Sequence, residues 1–325
     1  MDSVLIIGGT RFIGRPTVEE FLDHGYDVTI FNRGSHENPF AENDDVRHVE
    51  GDRTTDSALE RAKMEVDPDV VVDCVAYYPK DVRAATQIFA DCDAYVYISS
   101  GAAYGVDEAP KREDDTPLHD CTPDQATSDE DETYGPRKAE GDRAVFAAAD
   151  RGVRAMSIRP PIVFGPHDYT RRFDYWIDRV KNHDRLLVPY SELRHLVYVE
   201  DVASALRVIA EAGEAGEAYN VGTHTLPLLT EWIDAIAEAV GRDVETVRVG
   251  DRELDAVDLA PDEFPLYLDY PHVLPTDKLE ALGWEPTAVA ESVAETVAAH
   301  PDGEGRENGP DRETEERMLG VLDTF

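Results

Sequence analysis

The stretch "VLIIGGTRFIGRP" at positions 4–16 constrains what this chain can fold into more than any other feature. A short continuous apolar run ending in glycines reads as a strand buried on both faces. The glycines after it permit a tight turn that opens a helix, and backbone N–H groups at such a turn, backed by the helix dipole, suit a pyrophosphate. Gly8, Gly9 and Gly14 are present, whereas Arg11 occupies the middle position where a glycine is usual.

The downstream pattern extends this start. "RPTVEEFLDHGYDVTIFNRG" (15–34) predicts a helix with Val18, Phe21 and Leu22 on one side, a stop at Gly25 and a second apolar strand. Further buried-strand runs occur at "DVVVDCVA" (69–76), "AYVYISS" (94–100) and "RAMSIRP" (from Arg154), each separated by a potentially helical stretch. Strands alternating with helices predict an α/β chain, a doubly wound parallel sheet of Rossmann type with right-handed crossovers. Residues 1–162 are assigned to this dinucleotide-binding domain, with a polar, acidic, proline-rich loop over 107–133 crossing the site. Residues 163–300 mainly form a smaller C-terminal α/β substrate domain, some segments returning to the Rossmann core. Residues 301–325 are read as an acidic tail, a solvated linker ending in a short helix.

Composition bounds the function classes. The net charge is −38, and of 31 basic residues only 6 are lysine. Such a surface suits molar salt, where the Debye length shrinks to about 3 Å and self-repulsion is screened; a halophilic setting is expected and nucleic-acid binding is not. No apolar run approaches a membrane span, and no secretory leader is read at the start, so a cytoplasmic protein without membrane contact is expected. Cys74, Cys92 and Cys121 lack ligand spacing, and no metal site is expected.

Two further stretches carry chemistry. Where the second strand ends, "FNRG" offers Asn32 and Arg33 in place of an acidic residue, and a guanidinium there would welcome an adenosine 2′-phosphate. In "ETYGPRKAE", Tyr134 and Lys138 stand one turn apart on one helix face. A nearby ammonium favours the phenolate of a side chain whose ordinary pKa is about 10. Ser99 and Ser100 close the preceding strand at its carboxyl end, where parallel sheets bind ligands.

The ordered set "GGTRFIG", "GDRT", "ISSGAAYG", "YGPRK", "IRPPIVFGP", "RHLVYVEDVASAL", "AYNVG" and "LGWEPT", from Ile6 to about Thr287, resembles the extended short-chain dehydrogenase/reductase superfamily of NAD(P)-dependent sugar epimerases, dehydratases and reductases. The resemblance implies that Gly8 and Gly14, with Thr10, Arg11, Phe12 and Ile13, hold the cofactor pyrophosphate. It further implies that Asp52 meets the adenine amino group and that Ala76 lies beside the cofactor ribose, with Arg53 and Pro161 also on the cofactor side. Ser100, Tyr134 and Lys138 match the catalytic triplet, and Arg194 falls where an arginine meets the diphosphate of a nucleotide sugar. Tyr77 is expected on the substrate, and a homodimer is expected by analogy.

Departures narrow the reading. Gly101 and Ala102 follow Ser100 where the dehydratase branch carries an Asp-Glu pair, which disfavours dehydration. The wording of "GGTRFIG" and "RRFDYWIDRV" also resembles a branch containing chloroplast stem-loop-binding proteins, associated with RNA. The expectation is a sugar epimerase or oxidoreductase acting on a nucleotide-linked substrate with NAD(P), leaning to NADP through Arg11 and Arg33. The alternatives are an NADP-dependent reductase of a non-sugar ketone or alcohol, and a non-redox RNA-associated or regulatory protein.

Overall fold

A computed structural model describes residues 1–324 and divides the chain into two compact units. The first comprises Met1–Val163, Val199–Gly222 and Leu274–Pro286. Its elements are β1 (Ser3–Ile7), α1 (Gly14–Asp23), β2 (Asp27–Asn32), β3 (Val46–Glu50), α2 (Asp56–Val66), β4 (Val70–Asp73), α3 (Pro79–Ile88), β5 (Ala94–Ile98), α4 (Tyr134–Ala149) and β6 (Ala155–Arg159). The strand Ala218–Asn220 completes a seven-stranded sheet in the order Ala218–Asn220, β6, β5, β4, β1, β2, β3. All pairings are parallel.

The apolar runs become the interior strands because helices cover both faces of a parallel sheet. Every residue of β4, β5 and β6 is buried, whereas β3, at the edge, exposes Arg47, His48 and Glu50. Sheet order reverses between β1 and β4, and in open α/β sheets ligands bind outside the carboxyl ends of the strands at that point. The glycine turn after β1 lies there.

The loop over 107–133 is held more tightly than its polar composition suggests. It contains short 3-10 turns at Gln125–Thr127 and Asp131–Thr133. Asn220, ending the seventh strand, donates its amide N–H to Glu113 Oε1 (2.8 Å) and its side-chain Nδ2 to the carbonyl of Lys111 (2.9 Å). Tyr104 donates to Asn220 Oδ1 (2.8 Å) and accepts from the buried Arg159, which also pairs with Asp142 at 2.8 Å. A chain of buried polar partners thus fastens the loop to the sheet, compensating groups that would be costly to desolvate alone.

The second unit comprises Phe164–Tyr198, Thr223–Val273 and the residues from Thr287 onward. Its longer helices include Arg172–Asn182 and Leu229–Val240. Phe164, Phe173 and Trp232 pack ring on ring in its core, and Arg185–Pro189 pairs in parallel with Glu245–Val249. The C-terminal segment corrects the reading of a solvated linker and tail. Buried Glu315, on the helix Arg312–Leu322, accepts from Arg179 (2.8 Å) and Tyr175 (2.7 Å), while Arg306 pairs with buried Asp178 at 3.0 Å. The sequence looked solvated because its charges are matched by partners more than a hundred residues away.

Among the described residues, no helix is long and apolar enough to cross a membrane, and no group of three or more His, Cys, Asp or Glu could hold a metal ion. The three cysteines are free thiols; burial raises all three pKa values, that of Cys92 to about 12.

Candidate active site

The turn after β1 is built so that side chains would obstruct it. Gly9 has φ +89°, and a Cβ on Gly14 would fall 2.6 Å from the Gly9 amide nitrogen. The amides of Gly14 and Arg15 close the turn on the carbonyl of Arg11 at 2.9 and 3.3 Å. Arg11 itself needs no glycine conformation; its exposed guanidinium lies 3.5 Å from His36 Nε2, in the segment after β2. Phe12 is buried, so its ring anchors the turn, with Ile13 half-buried behind it.

Asn32 braces the same region. Its Nδ2 donates to the carbonyl of Gly8 (3.2 Å), and its Oδ1 accepts from the Gly34 amide (2.8 Å) and faces His48 Nε2 at 3.1 Å. Arg33 remains exposed. His36 and His48 were not singled out by the sequence, because their partners lie on other segments. Asp52 accepts from the amide and hydroxyl of Thr54 at 2.9 and 2.7 Å; these bonds, with smaller contributions from Arg33 and Arg53, lower its pKa.

The side chain of Arg53 is held inside the protein. Its buried guanidinium is hydrogen-bonded to Asp73 and stands 3.5 Å from Asp81, while Tyr95 donates to the same Asp73 at 3.0 Å. An arginine this buried is stable because its charge is matched inside the protein. Its charge therefore ties the ends of β3, β4 and α3 together.

Ser100, Tyr134 and Lys138 come from two neighbouring elements. Ser100 follows β5 and caps a short turn, its Oγ accepting from the Ala102 amide at 3.2 Å. Ser99 is buried, and its hydroxyl has no hydrogen-bond partner among the described residues. Tyr134 opens α4 with 36% of its surface exposed, and Lys138 lies buried one turn along. Lys138 donates to the carbonyls of Ala76 (3.1 Å) and Ile98 (2.7 Å), and its Nζ lies 5.8 Å from the centroid of the Tyr134 ring. Burial lowers the Lys138 pKa to about 8; Asp73 and Asp142 oppose that fall, and Arg137 adds to it.

The neighbouring Arg137 acts on the same loop. It is buried, donates to the carbonyls of Tyr77 (3.3 Å) and Thr133 (3.4 Å), and covers the ring of Tyr78 at 5.1 Å. Consecutive cations on α4 thus hold consecutive carbonyls, Ala76 and Tyr77. The Tyr77 ring is 46% exposed, with Lys138 Nζ 5.6 Å from its centroid. Pro161 lies half-buried two residues past the end of β6, next to Pro160, whose carbonyl accepts from Gly101 at 2.7 Å.

Arg194 belongs to the second unit. It donates to the Tyr267 carbonyl at 3.3 Å, and no carboxylate among the described residues pairs with it. Burial, with nearby Arg172, lowers its pKa to about 10.

The sheet order and the glycine turn at its switch point are those of a doubly wound dinucleotide-binding fold; the family match makes the chain an NAD-dependent enzyme of the extended short-chain dehydrogenase/reductase type. Residues 4–222 match the model of the NAD dependent epimerase/dehydratase family, and the chain belongs to that family. The chain is 27% identical over 318 residues to the low-salt glycan biosynthesis protein Agl12 of Haloferax volcanii, covering 87% of this chain and 93% of that protein. It is 26% identical over 267 residues to the chloroplast stem-loop binding protein of 41 kDa b of Arabidopsis thaliana, covering 78% and 67% respectively. Its fold superposes on a dTDP-glucose 4,6-dehydratase from Bacillus anthracis in complex with NAD, with a TM-score of 0.72 at 20% identity, covering 94% of this chain and 98% of that one.

Proposed function

We propose that this protein is an epimerase or oxidoreductase of a sugar carried on a nucleotide, with Ser100, Tyr134 and Lys138 as its reacting set. The observation that carries the reading is Lys138, buried beneath the Tyr134 ring with two of its three N–H groups committed to the carbonyls of Ala76 and Ile98. An ammonium so fixed favours a phenolate on Tyr134.

The glycine turn fits a dinucleotide, since the absence of a Cβ on Gly14 lets the start of α1 pack directly against the Gly9 backbone, the close strand-to-helix turn that suits a pyrophosphate. Gly8, Thr10, Ile13 and Gly14 would line the pyrophosphate, Asp52 the adenine, and Ala76 and Lys138 the nicotinamide ribose. A bound nicotinamide supplies hydride acceptance from a sugar carbinol and, in an epimerase, hydride return to the opposite face. Tyr134 takes the hydroxyl proton at its phenolate oxygen, Lys138 holds that oxygen's charge, and the Ser100 hydroxyl orients the substrate oxygen. Gly101 and Ala102 carry no acid or base for eliminating water, which supports epimerisation or simple redox over dehydration.

Arg11 and Arg33 support a preference for NADP, because both are exposed cations near the end of β2 and Asn32 brings no opposing carboxylate. The half-buried Arg194, which has no carboxylate partner among the described residues, suits the diphosphate of a nucleotide sugar. The names of the glycan-biosynthesis relative and of the dehydratase support a sugar substrate. The stem-loop-binding relative keeps a second reading in view, RNA association without redox turnover; the intact Tyr134 and Lys138 and the charge of −38 weigh against it.

The test is turnover of UDP-glucose, dTDP-glucose and GDP-mannose with NAD and NADP, followed by the absorbance of reduced nicotinamide and by NMR of the sugar. Tyr134→Phe should lower turnover roughly 10²–10⁴-fold while cofactor affinity stays unchanged. Full activity in that variant overturns the assignment. A stoichiometric change in reduced cofactor identifies a reductase, and sugar inversion without net change an epimerase.

A further inference from the structure

The loop over 107–133 brings one titratable side chain to the start of the catalytic helix, and the sequence had not singled it out. Directly after the Ser100 turn, residues 103–105 run against 117–119. The His119 amide donates to Ala103 (2.9 Å), Gly105 donates to Pro117 (2.8 Å), and Tyr104 and Leu118 form an antiparallel bridge. From the other side Arg143, on α4, donates to the His119 carbonyl at 2.6 Å. The backbone of His119 is therefore fixed between the serine turn and α4.

Its imidazole lies against Gly135, the residue after Tyr134. A Cβ on Gly135 would come 3.1 Å from His119 Cδ2, 3.3 Å from its Nε2 and 2.5 Å from the Ala102 carbonyl. The glycine of "YGPRK" is thus what lets the serine turn and this imidazole approach the helix start together. Neither ring nitrogen of His119 has a hydrogen-bond partner among the described residues, although the side chain is only half-exposed. Gly101 and Ala102, which follow Ser100, offer no side-chain donor or acceptor.

We propose that His119 is a specificity-determining residue that hydrogen-bonds a hydroxyl of the sugar close to the carbon on which Tyr134 acts. The proposal rests on the nucleotide-sugar reading above. A neutral imidazole can both donate and accept, which suits a hydroxyl. The groups facing it agree with that state: burial, Lys111 and Arg143 disfavour the protonated ring, opposed by Asp107.

The test compares wild type, His119→Ala and His119→Gln, loaded with NADP, for binding of UDP, UDP-glucose, dTDP-glucose and GDP-mannose by calorimetry. His119→Ala should weaken the nucleotide sugar about tenfold and leave UDP unchanged, and His119→Gln, which keeps an amide at this reach, should recover most of the loss. In wild type, the His119 ring resonance, identified by its absence from the glutamine variant, should shift with the nucleotide sugar and stay in place with UDP. Equal sugar affinity in all three proteins with an unmoved resonance overturns the proposal while the nucleotide-sugar reading stands. Failure of wild type to bind any of the three nucleotide sugars overturns both.

Discussion

The Lys138 ammonium donates to the carbonyl of Ile98, the last residue of β5, at 2.7 Å, so α4 is fastened to the end of the sheet by the side chain proposed to polarise Tyr134. Burial brings its pKa to about 8. The charged form is the useful one and is lost as pH rises through that value, so kcat/KM should fall on an alkaline limb near pH 8. An unfolded lysine keeps its proton to about pH 10.4. Between these values the unfolded chain binds more protons, so folding stability rises with pH and the limb is not unfolding. A pH–rate profile beside urea melts checks both signs, and Lys138→Met should abolish the limb along with most activity.

Gly14→Ala should disable the cofactor turn. The new Cβ meets the backbone of Gly9 at 2.6 Å, a contact no rotamer change can relieve. A loss of about 1–3 kcal/mol in NADP affinity is expected, with a smaller fall in melting temperature; titration of tryptophan fluorescence with NADP measures the first.

Arg11 and Arg33 should set the choice between cofactors. Arg11→Ala with Arg33→Ala should weaken NADP by about 1–3 kcal/mol relative to wild type and leave NAD nearly unchanged. Parallel calorimetric titrations read the ratio, and tighter NAD binding by wild type would refute the preference.

Asp174 makes a stability prediction independent of catalysis. Burial, with Asp168 and Glu304 nearby, raises its pKa to about 7, against a pull from Arg171. The folded chain thus holds a proton that the unfolded chain releases near pH 3.8, and stability falls as pH rises from about 4 to 7. Asp174→Asn removes that loss, so the variant should gain on the order of 2 kcal/mol over wild type between pH 5 and pH 8 in urea melts.

The charge of −38 predicts a salt-dependent fold. Lowering ionic strength lengthens the reach of repulsion among surface carboxylates. Melting temperature should rise steeply with KCl and be higher at molar than at millimolar concentrations; a flat dependence would refute the halophilic reading.

By itself the sequence determined the parallel sheet, since strands such as "AYVYI" buried on both faces must be continuously apolar and each is followed by a periodic helix. It determined the glycine turn and the spacing that puts Tyr134 and Lys138 on one helix face, because those signals are local. It could not show what holds Arg53 or the C-terminal residues, because their partners, Asp73 and Asp81 for the one and Arg179 and Asp178 for the other, come from distant positions. Only the tertiary structure decided that Asn32 braces Gly8, that Arg137 and Lys138 grip adjacent carbonyls, and that His119 reaches Gly135. The reason is physical: a turn or a helix face is set by neighbours a few residues apart, whereas the partner that neutralises a buried charge or fills the space beside a glycine is chosen by packing across the fold.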